Sequence, residues 1–599
     1  MNSSEDVMSQ QKVRYEWNEI PWRKLEKSSF KLQKRIYRAS KCNDIKKMHN
    51  LQRLLLKSTS ARTLAVRKVT QDNRGKKTAG IDGKAKLDQK ERLLLACSLD
   101  IREKAKPSRR VWIPKPGKPL ERRPLGIPTI ADRAKQTLVK MALEPEWEGK
   151  FEPNTYGFRP GRSCHDAIEA IFQALTKKTA FVLDADIAGC YDNIDHNALL
   201  EKLNTTSTLK RIIKGWLKAG VMENQIFKPT KSGTIQGGTI SPLLACVTLH
   251  GLENYLKETM ADEIVISCKK KKPGKAYRRE AKRSLSVIVY ADDLVVLHES
   301  EEIVLKAKTL IEAWLKTVGL ELKSSKTRVS HTLRPLNGIK PGFDFLGFTI
   351  RQYPTRKNKM SYKTIIKPSL SSIKQHALAI KYKLREMRGV PQGAVIKNLN
   401  PIIRGWCQYY VPAVSSKIFS LLNSCVFRKV WKWAVYRHPN KGKYWIKEKY
   451  FKRYKNDNWR FMTSNGGYLI KHGDYSVKRH IKVVGTKSPY DGDWVYWSNR
   501  LSKIIGKSSR VTKLLKLQQG KCKHCHIWFR FDDFTQVHHQ DRNRLNNDTN
   551  NLSLLHKHCH DQLHGSMYNK HQIREKPDVV KITSPVLKSR GEGRLSLLR

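Results

Sequence analysis

Apolar residues recur at three- and four-residue spacing in two stretches near the N-terminus. These stretches, "SFKLQKRIYRAS" and "MHNLQRLLLKSTSARTLAVRKV", predict amphipathic helices within residues 1–70. Between residues 85 and 350 the pattern changes. Strand-like apolar runs ("AFVLDADI", "SVIVYADDLVVL", "FDFLGFTI") alternate with helix-like runs ("HDAIEAIFQAL", "IVLKAKTLIEAWLKTV"). This alternation predicts a mixed α/β region.

The second half of the chain is patterned differently. Residues 365–440 contain amphipathic helical patterns rich in Lys, Arg, Trp and Tyr. Helical spacing favours packing in a core, over stacking on bases, for Trp406, Tyr409 and Tyr410. Residues 441–515 are basic and are predicted to be irregular. The basic run "KKKKPGKAYRREAKR" (269–283) is predicted to be a mobile loop.

Composition narrows the class of protein. The 599 residues include 117 Lys and Arg against 53 Asp and Glu, a formal net charge of +64. A charge of this size indicates a polyanionic partner, which means nucleic acid. The 11 Cys are mostly single, which indicates a reducing compartment. The sequence contains no run of about 18 apolar residues, so it does not predict a membrane span. The first ten residues, "MNSSEDVMSQ", resemble neither a signal peptide nor a transit peptide.

An acidic pair, Asp292 and Asp293, lies inside the apolar run "VIVYADDLVVL". A tight turn between two strands would hold the pair, and alternation would send its members to opposite faces. A second apolar strand, in "FVLDADIAGCYDNIDH" (181–196), also ends in aspartate at Asp186. Asp from neighbouring strands could hold two Mg²⁺ ions that activate a 3′-hydroxyl and stabilise the leaving pyrophosphate. The simpler alternative is a polar turn.

The C-terminal region carries a different signal. Nine of the 19 His and three of the 11 Cys fall within 522–571, which places a domain boundary near 515. Cys522 and Cys525 have zinc-knuckle spacing, and His556 and Cys559 could close a tetrahedral structural Zn²⁺ site. His558 is a possible substitute for His556.

In order along the chain, these motifs resemble a reverse transcriptase of the group II intron-encoded kind, also called an intron maturase. "DADIAGCYDNIDH" and "YADD" resemble the two catalytic motifs of that family, and "GTIQGGTISPLLA" resembles its glutamine–glycine loop. "VWIPKPGKPLERRPLGIPTIADRAKQ" and "YGFRPGRSCHDAI" resemble the finger motifs, and "LELKSSKTRVSH" and "FDFLGF" the last palm motifs. The region after 365 resembles the thumb, or domain X.

The resemblance implies roles for particular residues. The Mg²⁺ ligands would be Asp186, Ile187 and Asp292, with Asp293 in support. Nucleotide-binding residues would be Lys115, Arg123, Tyr191 and Gln236. Tyr191 would act as the gate that favours deoxynucleotides. It stands where the family often has Phe, and Ile235 stands where Pro is usual.

The segment from His538 to His560 resembles an HNH nuclease, a ββα-metal fold. By that resemblance His538 would bind a catalytic divalent metal such as Mg²⁺, His539 would be the general base, and Asn551 would orient its ring. His560 and His564 are four residues apart, so both face one side of a helix and could complete the metal site. The alternative is a structural zinc module that binds DNA without cutting it.

Together these features predict a multidomain α/β and α protein with a right-hand polymerase. The expected parts are a helical RNA-binding extension (1–70), fingers and palm (71–355), the thumb or domain X (356–445), a basic DNA-binding region (446–515), an HNH endonuclease (516–575) and a basic tail (576–599).

The resemblance implies RNA splicing, nicking of target DNA and copying of intron RNA. The expected partners are group II intron RNA, target DNA and deoxynucleoside triphosphates. The expected location is a bacterial cytoplasm or an organelle, without secretion. The sequence does not indicate the oligomeric state. Two alternatives are a splicing factor without catalysis and a reverse transcriptase of a defence or diversity-generating system. The presence of Asp186, Gln236 and Asp292 argues against the first, and domain X with the HNH tail argues against the second.

Overall fold

The computed structural model describes residues 16–115, 118–264, 275–356, 361–503, 509–530, 533–543 and 545–565. The predicted basic tail (576–599) lies outside these residues. So do residues 265–274, which include the start of the basic run.

Helices cover more of the described chain than strands do. They are α1 (Trp22–Lys41), α2 (Ile45–Lys57), α3 (Thr59–Arg67), α4 (Gln89–Ser98), α5 (Ile130–Lys150), α6 (Cys164–Leu175), α7 (Cys190–Asn193), α8 (His196–Leu203), α9 (Ser207–Leu217), α10 (Ser241–Leu249), α11 (Leu252–Thr259), α12 (Lys275–Ser284), α13 (Glu301–Lys316), α14 (Leu370–Glu386), α15 (Gln392–Tyr410), α16 (Ser416–Arg437), α17 (Lys443–Tyr450), α18 (Trp494–Lys503), α19 (Ser509–Leu517) and α20 (Lys557–Gly565). Helices α1 to α3 confirm the helical N-terminal prediction for the described part of 1–70.

The strands form small sheets. They are β1 (Ser108–Lys115), β2 (Lys118–Ile127), β3 (Phe181–Asp186), β4 (Val221–Glu223), β5 (Ile226–Lys228), β6 (Ser286–Tyr290), β7 (Asp293–His298), β8 (Arg328–His331), β9 (Phe343–Phe345), β10 (Phe348–Pro354), β11 (Tyr362–Pro368), β12 (Phe451–Tyr454), β13 (Asp457–Phe461), β14 (Thr535–His539) and β15 (Leu552–His556). The central sheet has the order β6-β7-β3-β8, and a second sheet has the order β2-β1-β4-β5.

The central sheet lies between two hydrophobic cores. Leu183 and Val296 point into a core shared with the N-terminal helices, whereas Val182 and Val295 point into a core shared with α14 to α16. Alternation along β3 and β7 therefore buries both faces of the sheet. The half-buried residues of these two strands are Phe181, Asp184, Asp186 and Asp293.

The prediction that residues 441–515 are irregular is confirmed for residues 462–493, in which the only helix or strand is the 3₁₀ turn His472–Asp474, and is wrong for most of the remaining described residues. This stretch contains α17, the antiparallel hairpin of β12 and β13, α18 and α19. Its apolar anchors, such as Ile446, Phe461 and Leu501, are buried but separated by Lys and Arg. Because Lys and Arg lie between them, the spacing of the apolar residues does not show a helical or strand period in the sequence. Packing against the rest of the molecule stabilises the observed helices and strands.

The predicted basic loop at 269–283 is helical over its described part, as α12. Arg278 contacts Asp262 at 3.4 Å, and Lys282 pairs with Glu258. Ala281 of the same helix is fully buried. Glu258 on α11 and Asp262 after it therefore pair with basic residues of α12. In the sequence alone these basic residues appear as a run without acidic partners.

Contacts at two interfaces join distant parts of the chain. The carboxylate of Asp166 on α6 accepts hydrogen bonds from Arg500 Nη2 at 2.7 Å and the Val483 amide at 2.8 Å. At the other side, Arg530 lies 4.4 Å from the ring centre of Phe30 on α1, and Gln562 Nε2 donates to the Ile20 carbonyl at 3.1 Å. The last described domain therefore rests on the first helix.

Candidate polymerase and metal sites

Strand pairing brings the two predicted acidic stretches together. Strands β3 and β7 are antiparallel, with Asp186 directly opposite Asp293. The amide of Ile187 donates to the carbonyl of Asp292 at 2.9 Å, so the residue after Asp186 is bonded to the turn. Residues that pair directly across antiparallel strands share a face. Asp186 and Asp293 therefore share one, and Asp292 lies next to them in the turn.

The turn itself is tightly constrained. Ala291 adopts a left-handed φ of 55°, which lets the chain reverse between β6 and β7. Gly157 lies against this reversal, where an added Cβ would come within 2.4 Å of the Ala291 amide nitrogen. The glycine of "YGF" therefore permits the close approach that positions the acidic turn.

Cations accompany the acidic end of β3. Lys326 pairs with Asp186, and Arg328 Nε lies 3.3 Å from Asp184 Oδ2. Burial raises the pKa of Asp184 to about 6, against the opposing effect of Arg328. Burial also raises the pKa of the Cys190 thiol, and the negative charges of Asp292 and Asp186 add to this. Both carboxylates therefore act electrostatically on the same nearby sulfur.

The predicted nucleotide-binding residues converge through backbone contacts. The Thr234 amide donates to the Tyr191 carbonyl at 2.6 Å, and the Gly126 amide donates to the Gln236 carbonyl at 2.8 Å. The Tyr191 ring meets Phe158 edge-on, with ring centres 6.2 Å apart. These bonds connect the glutamine–glycine loop to both the α7 segment and the end of β2.

The two predicted triphosphate contacts lie on the β1–β2 hairpin. Arg123 is a half-buried residue of β2, opposite Ile113. Lys115 ends β1, and its side chain lies outside the described residues. Both contacts therefore stay predictions, although the bond between Gly126 and Gln236 ties the same hairpin to the glutamine–glycine loop.

The aromatic residues of α15 pack in the interior, which confirms the core prediction. Tyr409 and Tyr410 are buried, and their hydroxyls donate to the carbonyls of Leu346 and Gly347 at 2.8 and 3.0 Å. Trp406 stacks on His376 with ring centres 4.7 Å apart. These rings therefore join α14 and α15 to the β9–β10 turn.

Three cysteines and one histidine meet in the C-terminal domain. The ligand atoms of Cys522, Cys525, His556 and Cys559 all lie within 4.8 Å of one another, and all four residues are buried. The Nδ1 atom of His556 faces Cys525 Sγ at 3.3 Å. Three thiols and one imidazole are a donor set that suits tetrahedral Zn²⁺. The residues present therefore fit a structural zinc ion.

The surroundings of His556 explain its orientation. Its Nε2 atom lies 3.2 Å from Asp533 Oδ2. A carboxylate behind a histidine ligand is a frequent second partner in metal sites, because it fixes the ring and the tautomer. The alternative ligand, His558, instead faces Glu26 on α1 at 3.7 Å.

Three further histidines form a second cluster. The ligand atoms of His538, His560 and His564 lie within 4.8 Å of one another, with 3.3 Å between His564 Nε2 and His538 Nδ1. Burial and the neighbouring imidazoles lower the pKa of His538 to about 4. Its neutral ring can therefore act as a metal ligand at ordinary pH. The order β14, β15, α20 that carries the cluster is strand, strand, helix.

The predicted partners of this cluster are placed differently. His539 follows His538 on β14, so its side chain leaves the opposite face of the strand. Its Nε2 atom is buried and has no hydrogen-bond partner among the described residues. The side-chain Nδ2 of Asn551 donates to Asp541 Oδ1 at 2.7 Å and to the backbone carbonyl of Asn546 at 2.9 Å. Asn551 thus holds the loop after β14, and its predicted role in orienting His539 stays a prediction.

Comparison with known families decides the identity. Residues 113–350 match the family of reverse transcriptases (RNA-dependent DNA polymerases), and residues 17–99 match the N-terminal domain of reverse transcriptase. Residues 373–451 match the group II intron maturase-specific domain. The chain belongs to the group II intron-encoded protein family. This confirms the resemblance seen in the sequence.

Relatives of this intron-encoded protein are found in bacteria and eukaryotes. It is 30% identical over 344 residues to Protein YkfC of Escherichia coli, which covers 52% of this chain and 86% of that protein. It is 28% identical over 404 residues to Group II intron-encoded protein LtrA of Lactococcus lactis subsp. cremoris, covering 59% and 65%. It is 27% identical over 406 residues to Maturase-like protein 1 of Euglena gracilis, covering 65% and 76%. The chain thus spans slightly less than two thirds of LtrA.

Family membership assigns the parts of the fold. The reverse transcriptase domain implies a right-hand polymerase fold, and α15, α16 and α17 fall within the maturase match, together with all but the first turn of α14. Among the described residues, no helix of the intron-encoded protein is long and apolar enough to cross a membrane.

Some site residues were missed by the sequence reading. Lys326 and Asp184 lie beside Asp186, the predicted metal ligand, Arg328 contacts Asp184, and Asp533 contacts His556. Asp184 could have been found, because it precedes Asp186 by two residues and so shares its face of the strand. Asp533 has no such signal, since only the folded domain brings it next to His556.

Proposed function

We propose that this intron-encoded protein copies intron RNA into DNA, assists splicing of its parent intron and nicks target DNA. The observation that supports the polymerase most directly is the pairing of Asp186 with Asp293, beside the Asp292 turn. A polar turn alone would not require a second aspartate opposite it. The two far-apart acidic motifs instead meet at one end of one sheet.

At the polymerase site, Asp186 and Asp292 would hold Mg²⁺ through their carboxylates, with Asp293 in support. Ile187 can contribute only its backbone oxygen, since its side chain is apolar. Carboxylate and carbonyl oxygens are ligands that Mg²⁺ prefers. When bound, the cations supply charge that activates the primer 3′-hydroxyl and stabilises the leaving pyrophosphate.

The surrounding residues of the chain would select and hold the nucleotide. Tyr191 would stand where a 2′-hydroxyl would clash, and Gln236 would line the pocket on the neighbouring loop. Lys115 and Arg123 would contact the triphosphate, because cations stabilise negative charge that develops during transfer. The backbone bonds of Thr234 and Gly126 support this arrangement by fixing the loop between them.

The splicing role would fall to the N-terminal helices and the thumb. The maturase-specific match over 373–451 supports binding of the parent intron RNA, and the net charge of +64 supplies the attraction. One relative, LtrA, is named a group II intron-encoded protein. The protein would therefore act with its intron RNA as a ribonucleoprotein.

The nicking role would fall to the C-terminal domain. His538, His560 and His564 would hold a divalent metal, and the Nε2 atom of His539 would accept a proton from water. The buried zinc set of Cys522, Cys525, His556 and Cys559 would hold the domain together. The strand–strand–helix order and the two clusters support an HNH endonuclease over a zinc module that only binds DNA.

Primer extension on an RNA template tests the polymerase. Asp292→Ala should abolish synthesis of complementary DNA while binding of intron RNA persists, because the exposed basic surface is unchanged. Glu302→Ala, a change to an exposed glutamate in the first turn of α13, serves as the control and should extend the primer as wild type does. Synthesis at the wild-type rate by the Asp292→Ala variant would reject the assignment.

Nicking of a labelled target DNA tests the nuclease separately. His539→Ala should lose nicking and keep polymerisation, and His564→Ala should do the same by removing a metal ligand. Cys522→Ser should in addition lower the bound zinc measured on the purified protein. If the His539→Ala and His564→Ala variants nick as well as wild type, the domain binds DNA without cutting it through these residues.

A further inference from the structure

Phe158 combines three features that call for a common explanation. Its backbone φ is 57°, in the left-handed region that bulky residues seldom adopt. Its large apolar ring is 40% exposed. The same ring meets the ring of Tyr191 edge-on, with 6.2 Å between the ring centres and 79° between the planes. A strained backbone of this kind persists only where the surrounding structure imposes it.

The chain just before the strained phenylalanine is held from several sides. The Gly157 carbonyl accepts a hydrogen bond from Cys246 Sγ of α10 at 3.2 Å. The glycine also lies against the turn that carries the acidic pair, where an added Cβ would come within 2.4 Å of the Ala291 amide nitrogen. One residue earlier, the Tyr156 amide donates to the Val289 carbonyl of β6 at 2.9 Å. The chain is therefore fixed on the central sheet before it reaches the phenylalanine.

The residue after Phe158 is fixed as well. Arg159 is buried, and its Nε and Nη2 atoms donate to the two carboxylate oxygens of Glu148 at 2.8 and 3.1 Å. Its Nη1 atom donates to the backbone carbonyls of Glu152 and Thr155 at 2.7 and 3.1 Å. A bidentate pair adds geometric specificity to its charge. The left-handed backbone at Phe158 is thus imposed from both sides, and it sets the direction of the ring.

The Tyr191 ring needs a support of this kind if it is to act as a gate. Its backbone is held, since the Tyr191 carbonyl accepts a hydrogen bond from the Thr234 amide. Its side chain is half-buried. A ring that excludes a hydroxyl by contact works only while it keeps one rotamer, because turning to another removes the clash. An edge-to-face contact with a second ring stabilises one orientation.

We propose that Phe158 is a positioning residue for sugar selection, which holds the Tyr191 ring in the orientation that excludes a 2′-hydroxyl. This inference rests on the proposed function, in which Tyr191 favours deoxynucleotides. Phe158 acts through the second ring, so its loss changes the choice between nucleotides more than the rate of deoxynucleotide transfer. Because Gly157 lies on the acidic turn, the same short segment ties the gate to the predicted metal ligands.

Primer extension by the full-length protein on an RNA template tests the proposal. The readout is the ratio of kcat/KM for a deoxynucleoside triphosphate to that for the matching ribonucleoside triphosphate. Phe158→Leu should lower this ratio by about three- to tenfold, the effect of one aromatic contact, chiefly by raising kcat/KM for the ribonucleotide. Phe158→Tyr should keep the wild-type ratio, since the ring is kept. Phe227→Leu, at a phenylalanine 52% exposed on β5, is the matched control.

A double variant shows whether the effect passes through Tyr191. Tyr191→Ala should lower the ratio more than Phe158→Leu does, because it removes the gate itself. Combining the two changes should give the same ratio as Tyr191→Ala alone, since residues that act as one unit are not additive. A further drop in the double variant would mean that Phe158 selects the sugar by itself, which contradicts a positioning role.

Two other results would overturn the proposal. They are a wild-type ratio in Phe158→Leu, and an equal fall in kcat/KM for both nucleotides, which is the result of a merely structural role. Failure of the proposed function looks different. If Tyr191→Ala keeps the wild-type ratio, the gate assignment is wrong and the role of Phe158 falls with it. If the wild-type protein makes no DNA, the polymerase assignment fails and both roles fall.

Discussion

Lys326 is the residue whose contact most affects the polymerase site. It pairs with Asp186, the aspartate expected to hold metal, and it is itself about half exposed. A cation beside a carboxylate competes electrostatically with a metal ion for that carboxylate. The lysine therefore offsets the acidic charge in the absence of metal and must be displaced or shared when metal binds.

We expect Lys326→Gln to tighten binding of Mn²⁺, used as a paramagnetic probe, severalfold, because the competing charge is gone. Electron paramagnetic resonance of Mn²⁺ titrations measures this without relying on catalysis. Lys374→Gln, at an exposed lysine of α14, controls for the loss of one positive charge elsewhere. Unchanged Mn²⁺ affinity in the Lys326→Gln variant would show that the pair does not compete with metal.

His376 and His472 form a buried pair in the thumb core. Their Nε2 atoms are 2.8 Å apart, so one ring donates and the other accepts. Burial lowers the pKa of His376 to about 3 and that of His472 to about 4. In the unfolded chain each would take up a proton near pH 6.5, as an unperturbed histidine does. Their contribution to stability is therefore complete above about pH 6.5 and is lost as pH falls toward about 4.

We expect His376→Phe to reduce the loss of thermal stability between about pH 7.5 and about pH 5, because one of the two depressed groups is removed. The variant should also melt lower than wild type at the higher pH, since His472 loses its partner. Thermal melts at both values measure the two effects. An equal pH-dependent drop in variant and wild type would contradict this account.

The residues predicted for the polymerase site stand out in the sequence because their chemistry is unusual where they lie. Asp292 and Asp293 are charged residues within an apolar run, and the structure places them at the turn from β6 into β7. Their relation to Asp186 could be predicted only through the family motifs. The cations could not be predicted, since Lys326 and Arg328 are two of 117 Lys and Arg and differ from the rest only by position in the fold.

At the scale of elements, helix α6 holds the segment before α18. Asp166 is completely buried and accepts hydrogen bonds from Arg500 and the Val483 amide, and His480 Nε2 lies 3.1 Å from it. Burial alone would raise the pKa of Asp166, but the contact with His480 and the charge of Arg500 keep it well below its usual range. The Asp166 carboxylate is therefore charged, and three groups of the later segment contact it.

We expect Asp166→Asn to destabilise the protein by about 3–5 kcal/mol, because Arg500 would remain buried without its counter-charge. Trypsin should then cut within residues 476–503, which wild type protects. Glu169→Gln, one turn along α6 and half-buried, is the control and should resist trypsin. Wild-type resistance in Asp166→Asn would mean that the segment is held by other contacts.

Element prediction succeeded where one period dominated and failed where charge hid it. The helix "IVLKAKTLIEAWLKTV" appears as α13, and "AFVLDADI" appears as β3. Residues 441–515 read as irregular because Lys and Arg outnumber the buried anchors such as Ile446 and Trp497. Those anchors order the segment only through the surfaces they meet: Ile446 packs in the core that contains α14 to α16, and Trp497 lies against Gly161.

At the scale of the molecule, the C-terminal domain packs on the first helix. Besides the contacts of Arg530 and Gln562, Trp528 stacks on Trp494 with planes 7° apart, and Trp494 packs on Phe30. Glu26 lies between Arg67 and His558. Both domains were predicted from the sequence, but this interface was not. Its partners are about 500 residues apart, and no local sequence pattern links them.

We expect Arg530→Ala to loosen this interface, because it removes the cation above Phe30 and the hydrogen bond to the Glu26 carbonyl at 3.3 Å. Hydrogen exchange should accelerate in both α1 and α20. Arg510→Ala, at an exposed arginine of α19, should leave exchange unchanged. If α1 keeps wild-type protection in Arg530→Ala, the remaining contacts suffice.

Docking of the C-terminal domain on α1 has a geometric consequence. If nicking occurs there and copying beside Asp186, the cut 3′ end must move from one site to the other before it can be extended. The docked interface fixes the distance that this end has to travel. Lengthening the chain between α19 and Cys522 should not alter the yield of extended product from nicked DNA while the interface holds, whereas breaking the interface should lower it.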